Sequence, residues 1–171
     1  MQIGDKIRFG RYEWRVLDIQ NDMALIITDE IIEQRAYHDG YKEITWADCA
    51  LRKYLNGTFY ETFDEVDQSK IVMVTNKNLN NQWYGTEGGA DTLDQIFILS
   101  LEEVCKYFGD SRSLLQNPGI NQRFLKAAYI FGTDGNIGIQ GNNVLKGNIS
   151  DGKCTGGVRP ALWLKLELDK C

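Results

Sequence analysis

The sequence predicts an α+β domain built mostly of antiparallel sheet, with two or three helices. Three observations carry this reading. The first 28 residues alternate apolar and polar positions in short runs separated by turn residues. Helix-start signals at Thr45 and Ser100 fall in the middle of the chain. The last apolar run, Val158–Leu168, is again of strand length. Strands, helices and strands follow one another without regular alternation, which argues against a doubly wound parallel sheet.

Residues 5–28 read as a three-stranded meander. Ile7 and Phe9 alternate, then Tyr12, Trp14 and Val16, with Leu17 and Ile19 on the opposite parity. Gly10 separates the first two strands, and Asn21-Asp22 turns the chain into Met23–Thr28. The polar stretch 29–43, with Tyr37, His38, Gly40 and Tyr41, reads as a loop. Thr45 is an expected N-cap with Asp48 three residues on, a loose capping box. Ala47, Ala50, Leu51, Tyr54 and Leu55 follow at helical spacing, and Gly57 is the expected stop.

Short helical turns are expected around Thr58–Phe63 and Glu65–Lys70, then a β-branched strand at Ile71–Thr75. Residues 76–94 read as a long polar loop, a kind of segment that is usually functional or mobile. Gln95–Leu99 reads as a strand. Ser100 and Glu103 make a capping box for a helix running to Phe108 and stopping at Gly109. After an irregular stretch, Ala127–Phe131 and Asn136–Gln140 read as strands joined at Asp134-Gly135. Residues 141–157 are rich in Gly and Asn. Val158–Leu168 is expected to lie beside a strand of the 5–28 meander, with Pro160 at an edge or bulge.

At 171 residues and 43% apolar, the chain suits a single domain over 1–171. The charge sum of −5 gives no reason to expect nucleic acid or an anionic membrane as a direct partner. Apolar runs such as Met23–Ile27 and Ile96–Leu99 fall far short of the ~20 residues a bilayer needs. With no leader pattern at Met1–Lys6, a soluble cytoplasmic location is expected. Cys49, Cys105, Cys154 and Cys171 are irregularly spaced without a CxxC pair, and His38 stands alone. The expectation is therefore no disulfide, no metal and no organic cofactor, with Cys49 and Cys105 serving as small helix-face apolar residues.

Four segments carry a resemblance: Phe9–Asp18 (FGRYEWRVLD), Thr45–Asn56 (TWADCALRKYLN), Thr92–Ser100 (TLDQIFILS) and Gly157–Trp163 (GVRPALW). Together they resemble a bacterial domain family of unknown function, found in gut Firmicutes and their mobile elements. That family in turn is similar to C-type-lectin-like domains. The resemblance implies that first and last strands pair, that two helices follow the first strands, and that long loops carry ligand contacts. Where relatives carry a tryptophan-rich segment before the last hairpin, this chain has Ser113-Leu-Leu-Gln-Asn-Pro-Gly119. Formylglycine-generating enzymes belong to the wider group, but their cysteine pair has no counterpart here, so that activity does not carry over.

Acid-base chemistry would need carboxylates in unusual surroundings. Asp64, Glu65, Asp67, Glu102 and Glu103 instead sit where helix starts favour negative charge. Gly85–Gly89 precedes Asp91 and Asp94, which would repel phosphate; calcium suits those oxygens better, yet no EF-hand or lectin calcium pattern is present. Arg52 and Arg159 lie among apolar residues and call for carboxylate or carbonyl partners. Trp14, Trp46 and Trp163 read as core.

Trp83 and Tyr84 lie inside the polar loop and read either as a recognition surface or as rings folded back onto the core, the first being the site expectation. Asn80, Asn81, Asn121, Asn142 and Asn143 add amides in the irregular loops around 78–94, 114–125 and 141–156. The functional expectation is a non-catalytic binding module of a bacterium or mobile element, recognising a protein or a glycan through these loops. The alternative is a phage-encoded acidic inhibitor of a host defence protein that binds nucleic acid.

Overall fold

A computed structural model describes residues 1–38, 44–80, 88–108 and 155–167. The mostly antiparallel α+β architecture expected from the sequence is present. The meander consists of β1 (Lys6–Phe9), β2 (Tyr12–Gln20) and β3 (Met23–Thr28), paired antiparallel in sequence order. The parity switch along β2 is a β-bulge. Val16 pairs with Ile26 and Asp18 with Leu25, so Leu17 is the extra residue and both Val16 and Leu17 are buried. Asn21, at φ 53°, supplies the left-handed residue of the turn into β3.

The last strand, β9 (Ala161–Lys165), pairs antiparallel with β3, from Ile27↔Ala161 to Met23↔Lys165. A short β5 (Ile71–Val72) covers its other side, giving the order β1-β2-β3-β9-β5. The expected pairing of the last strand with the meander is thus observed. An interior place in the sheet explains the apolar run of β9, in which Ala161, Leu162 and Leu164 are buried.

Several local expectations are corrected. The stretch 29–43 is not all loop: β4 (Glu33–Ala36) pairs antiparallel with β8 (Thr155–Val158) in a separate two-stranded sheet. Its partner lies some 120 residues away and its residues before Ala36 are polar, so no local pattern announces it. The expected strand Val158–Leu168 divides at Arg159-Pro160, between β8 and β9. Pro160 marks the corner between two sheets rather than an edge or bulge within one strand, and its carbonyl accepts from Thr28 N at 3.0 Å.

Gly57 does not stop the first helix. A 3-10 turn, Trp46–Asp48, leads into α1 (Ala50–Tyr54), then a π turn over Leu55–Phe59 and a 3-10 turn over Tyr60–Thr62. Burial of Phe59 and Phe63 against Phe9 and Tyr12 carries the chain through the glycine. Thr45 makes no side-chain cap; Cys49 caps α1 instead, its Sγ accepting from Arg52 N at 3.4 Å. Then α2 (Glu65–Lys70) starts at Asp64, whose carboxylate accepts from Asp67 N at 2.8 Å.

The expected strand Ile71–Thr75 divides into β5 and β6 (Val74–Asn76), and β6 pairs with β7 (Thr92–Asp94) inside the supposed loop. Gln95–Leu99 is not a strand; Phe97 alone bridges to Ala161. The Asn56 amide takes the place of a neighbouring strand: its Oδ1 accepts from Gln95 N and Ile96 N, and its Nδ2 donates to Ile96 O. The capping box at Ser100 forms as expected, with Ser100 N donating to Glu103 Oε1 at 3.0 Å and Glu103 N donating to Ser100 Oγ at 3.2 Å. It starts α3 (Leu101–Phe108). The strands and hairpin expected between 109 and 154 lie outside the described residues.

Trp14, fully buried, anchors the core and donates from Nε1 to Phe9 O at 2.8 Å. Cys49 and Cys105 are buried and form no disulfide, while Cys154 and Cys171 lie outside the described residues. Gly10 is required twice over, by its φ of +59° and because a Cβ there would stand 2.7 Å from the Phe63 ring. Gly10→Ala should therefore cost about 1–3 kcal/mol in urea unfolding. A loss below about 0.5 kcal/mol would show that the turn relaxes freely.

Candidate binding cleft

The site is organised from a buried carboxylate outward. Asp94, at the end of β7, is fully buried. Its Oδ2 accepts from Trp46 Nε1 at 2.9 Å, Asn76 Nδ2 at 2.9 Å and Thr92 Oγ1 at 2.7 Å. Its Oδ1 accepts from Arg52 Nε at 2.6 Å, closing an ion pair. A carboxylate has about four acceptor positions, so these donors fill it. That is the environment of an anion satisfied by the protein.

The same cluster extends along the chain. Arg52 also donates to Ala47 O and Leu93 O, each at 3.1 Å. Asn78 Nδ2 donates to Ala90 O at 2.7 Å and to Thr92 Oγ1 at 3.2 Å. Gly89, at φ +83°, passes so close over Thr45 that a Cβ would collide with its side chain. The segments containing Trp46, Asn76 and Asp94 are thereby locked together.

Beside this cluster lies a cleft of about 440 Å³, within the ~300–1,000 Å³ common for ligand sites. One wall runs along and beyond β6, with Asn76, Lys77, Asn78 and Leu79. The opposite wall is α3, with Glu102, Glu103, Lys106 and Tyr107. Trp46, Ile98, Trp163 and Gln20 complete the lining. Trp163 is only half-buried, so it belongs partly to this cleft rather than wholly to the core, as the sequence had suggested. Trp46 and Trp14 are core residues as expected.

Charge at the α3 end is ordered by hydrogen bonds. Tyr107 Oη donates to Asp18 Oδ2 at 3.1 Å, and Gln20 Nε2 donates to the same oxygen at 3.0 Å. Burial opposes the Asp18 charge, but bonds from Gln20, Tyr107 and Ile19 N outweigh it and lower its pKa. Burial and the Asp18 carboxylate push the Tyr107 phenol upward. Burial also raises the pKa of Glu103, against the two Ser100 bonds and with the neighbouring Glu102 charge adding to the rise.

Among the described residues, Cys49, His38 and Arg159 are engaged in the frame. Burial pushes the Cys49 thiol up to about 11, which suppresses the thiolate at neutral pH. His38 Nδ1 accepts from Ala50 N at 3.1 Å at the start of α1. Arg159 is buried, donating to Thr28 O at 2.8 Å and Asp29 O at 3.1 Å; burial pulls its pKa down to about 10. Both arginines singled out by sequence thus have the carboxylate and carbonyl partners expected of them. Among the described residues, no three His, Cys, Asp or Glu side chains come together to hold a metal ion. Among the same residues, no helix is long and apolar enough to cross a membrane.

Of the binding residues expected from sequence, Asn80 is described: it is exposed, and its Oδ1 accepts from Gly88 N at 3.2 Å, joining the two ends of the 81–87 segment. Asn81, Trp83, Tyr84, Asn121, Asn142 and Asn143 lie outside the described residues. The cleft residues were not singled out as a site in the sequence. Yet Trp46, Ile98, Ser100 and Trp163 lie in three of the segments that carried the family resemblance, and Asp18 closes a fourth.

Residues 21–166 match a family model described as Domain of unknown function (DUF6273). The chain belongs to that family. No curated protein and no solved structure matches it. The DUF6273 span takes in the whole Asp94 cluster and every cleft residue named above except Gln20.

Glu103 gives a pH test of the cleft wall. Its folded pKa is raised, so its contribution to stability is present below the ordinary carboxylate range and is lost as pH rises through the raised value. Glu103→Gln keeps an oxygen for the Ser100 amide. Urea unfolding across a pH series should find the variant gaining on the native chain as pH rises to neutral, with the difference closing in acid. A pH-independent difference would contradict the burial of this carboxyl.

Proposed function

We propose that this DUF6273 domain is a non-catalytic binding module of a bacterium or mobile element, working in the cytoplasm on a protein or glycan ligand. The observation that carries the reading is the composition of the cleft. Amide groups of Asn76, Asn78 and Gln20 stand beside the aromatic rings of Trp163 and Tyr107, backed by the rigid Asp94 cluster. Fixed amides next to flat apolar faces suit recognition of polar ligands with apolar backs, such as sugars and peptides. The engagement of Cys49 and His38 in the frame supports a role without covalent chemistry.

The polar loop fits the same reading. Leu79 lies on the cleft wall, and the chain runs from it through Asn80 and Asn81 to Trp83 and Tyr84. In this proposal Trp83 and Tyr84 contribute to recognition.

Leu79 provides the test, because it is 62% exposed at the cleft. Leu79→Arg should change stability by no more than about 0.5 kcal/mol. Glycan and peptide arrays probed with the intact chain should give specific binding, which Leu79→Arg weakens by about tenfold or more. Undiminished binding by a variant of unchanged melting temperature would place recognition elsewhere.

A further inference from the structure

The orientation of the cleft amides is fixed by what they donate to. Asn76 Nδ2 faces the Asp94 carboxylate, Gln20 Nε2 faces the Asp18 carboxylate, and Asn78 Nδ2 faces the Ala90 carbonyl. Each of those partners can only accept, so nitrogen and oxygen cannot be exchanged in any of the three amides. Their carbonyl oxygens have no hydrogen-bond donor among the described residues, and all three residues line the cleft. Tyr107 likewise spends its hydroxyl proton on Asp18. The three amide carbonyls and the Tyr107 hydroxyl oxygen are therefore available as acceptors, beside the hydroxyls of Thr75 and Ser100.

The charged lining points the same way at depth. Lys77 and Lys106 are exposed at the rim, and Lys106 Nζ lies 5.2 Å from the centroid of the Tyr107 ring. Glu103 is the half-buried charge, and Glu102 stands beside it. One Glu103 oxygen accepts from Ser100 N, and the carboxylate lines the cleft. The half-buried Trp163 adds a ring of the kind that attracts cations.

We propose that the cleft binds a primary ammonium group, taken up by the carbonyl oxygens of Asn76, Asn78 and Gln20 and the carboxylate of Glu103. This rests on the binding-module reading and narrows its ligand class. An ammonium carries three donors and no acceptor, which matches these carbonyl and carboxylate oxygens. It also adds a directly bonded positive charge to Glu103, which Lys106 reaches through its charge alone, and hydrogen bonds to charged groups are the stronger ones. The ammonium can belong to a lysine side chain of a partner protein or to a free aliphatic amine.

Calorimetric titration of the full chain distinguishes these sources. The probes are cadaverine, doubly capped lysine and neutral pentanediol. Both ammonium probes should bind about tenfold or more tightly than the diol, and Glu103→Gln should remove about that advantage without unfolding the chain. Tighter capped lysine would assign the site to a protein partner, and tighter cadaverine to a small amine; either supports the proposal. Diol binding equal to that of the amines would overturn it. Failure of both amines while arrays still give Leu79-dependent binding would overturn the ammonium assignment and leave the binding module standing. Failure of amines and arrays together would overturn both.

Discussion

One buried charge sets the terms for the rest of the site. Asp94 has no exposure to water, and an ion without solvent costs several kcal/mol unless the protein replaces its hydration. Arg52, Trp46, Asn76 and Thr92 do so, and they come from the first helical region and from both strands of the β6–β7 pair. That pair is only three residues long, too short to be stable as an isolated hairpin. Its position therefore depends on the carboxylate more than on its own ladder. The cleft wall formed by Asn76, Asn78 and Leu79 inherits the same dependence.

The larger sheet supplies the fixed reference for that wall. With β9 inserted between β3 and β5, the end of the chain is held on both sides, and Trp163 is presented next to α3. Arg159 ties the corner before β9 to the end of the meander through the carbonyls of Thr28 and Asp29. The segments of family resemblance thus have a physical meaning in this fold. Some of their residues hold the frame, as Arg52, Asp94 and Arg159 do, and others, such as Trp46 and Trp163, reach the cleft as well.

What could be read from the sequence was what neighbouring residues decide. The meander followed from alternation, the bulge behind the Leu17 parity change being seen only in the pairing, and the Ser100 capping box followed from residue spacing. The pairing of the last strand with the first ones was legible because both are apolar and of matching length. Partnerships set by distant residues were not. Glu33–Ala36 becomes a strand only because Thr155–Val158 lies beside it. Gln95–Leu99 looks like a strand but gives its hydrogen bonds to the Asn56 side chain. Asp94 looked like a loop carboxylate, since nothing local shows that Trp46 and Arg52 converge on it. An apolar position beside an arginine, in a segment with a mid-loop Thr-x-Asp, was the available signal.

The most direct test of this account is a double-mutant cycle on the ion pair, read by equilibrium urea unfolding. Arg52→Met alone should cost about 3–5 kcal/mol, because it leaves the Asp94 charge buried without its counter-ion. Asp94→Asn should cost less in the Arg52→Met chain than in the native one, with a coupling of about 1–3 kcal/mol. Additive losses within about 0.5 kcal/mol, or an Arg52→Met cost of surface size, would contradict the claim that the buried Asp94 charge organises the site.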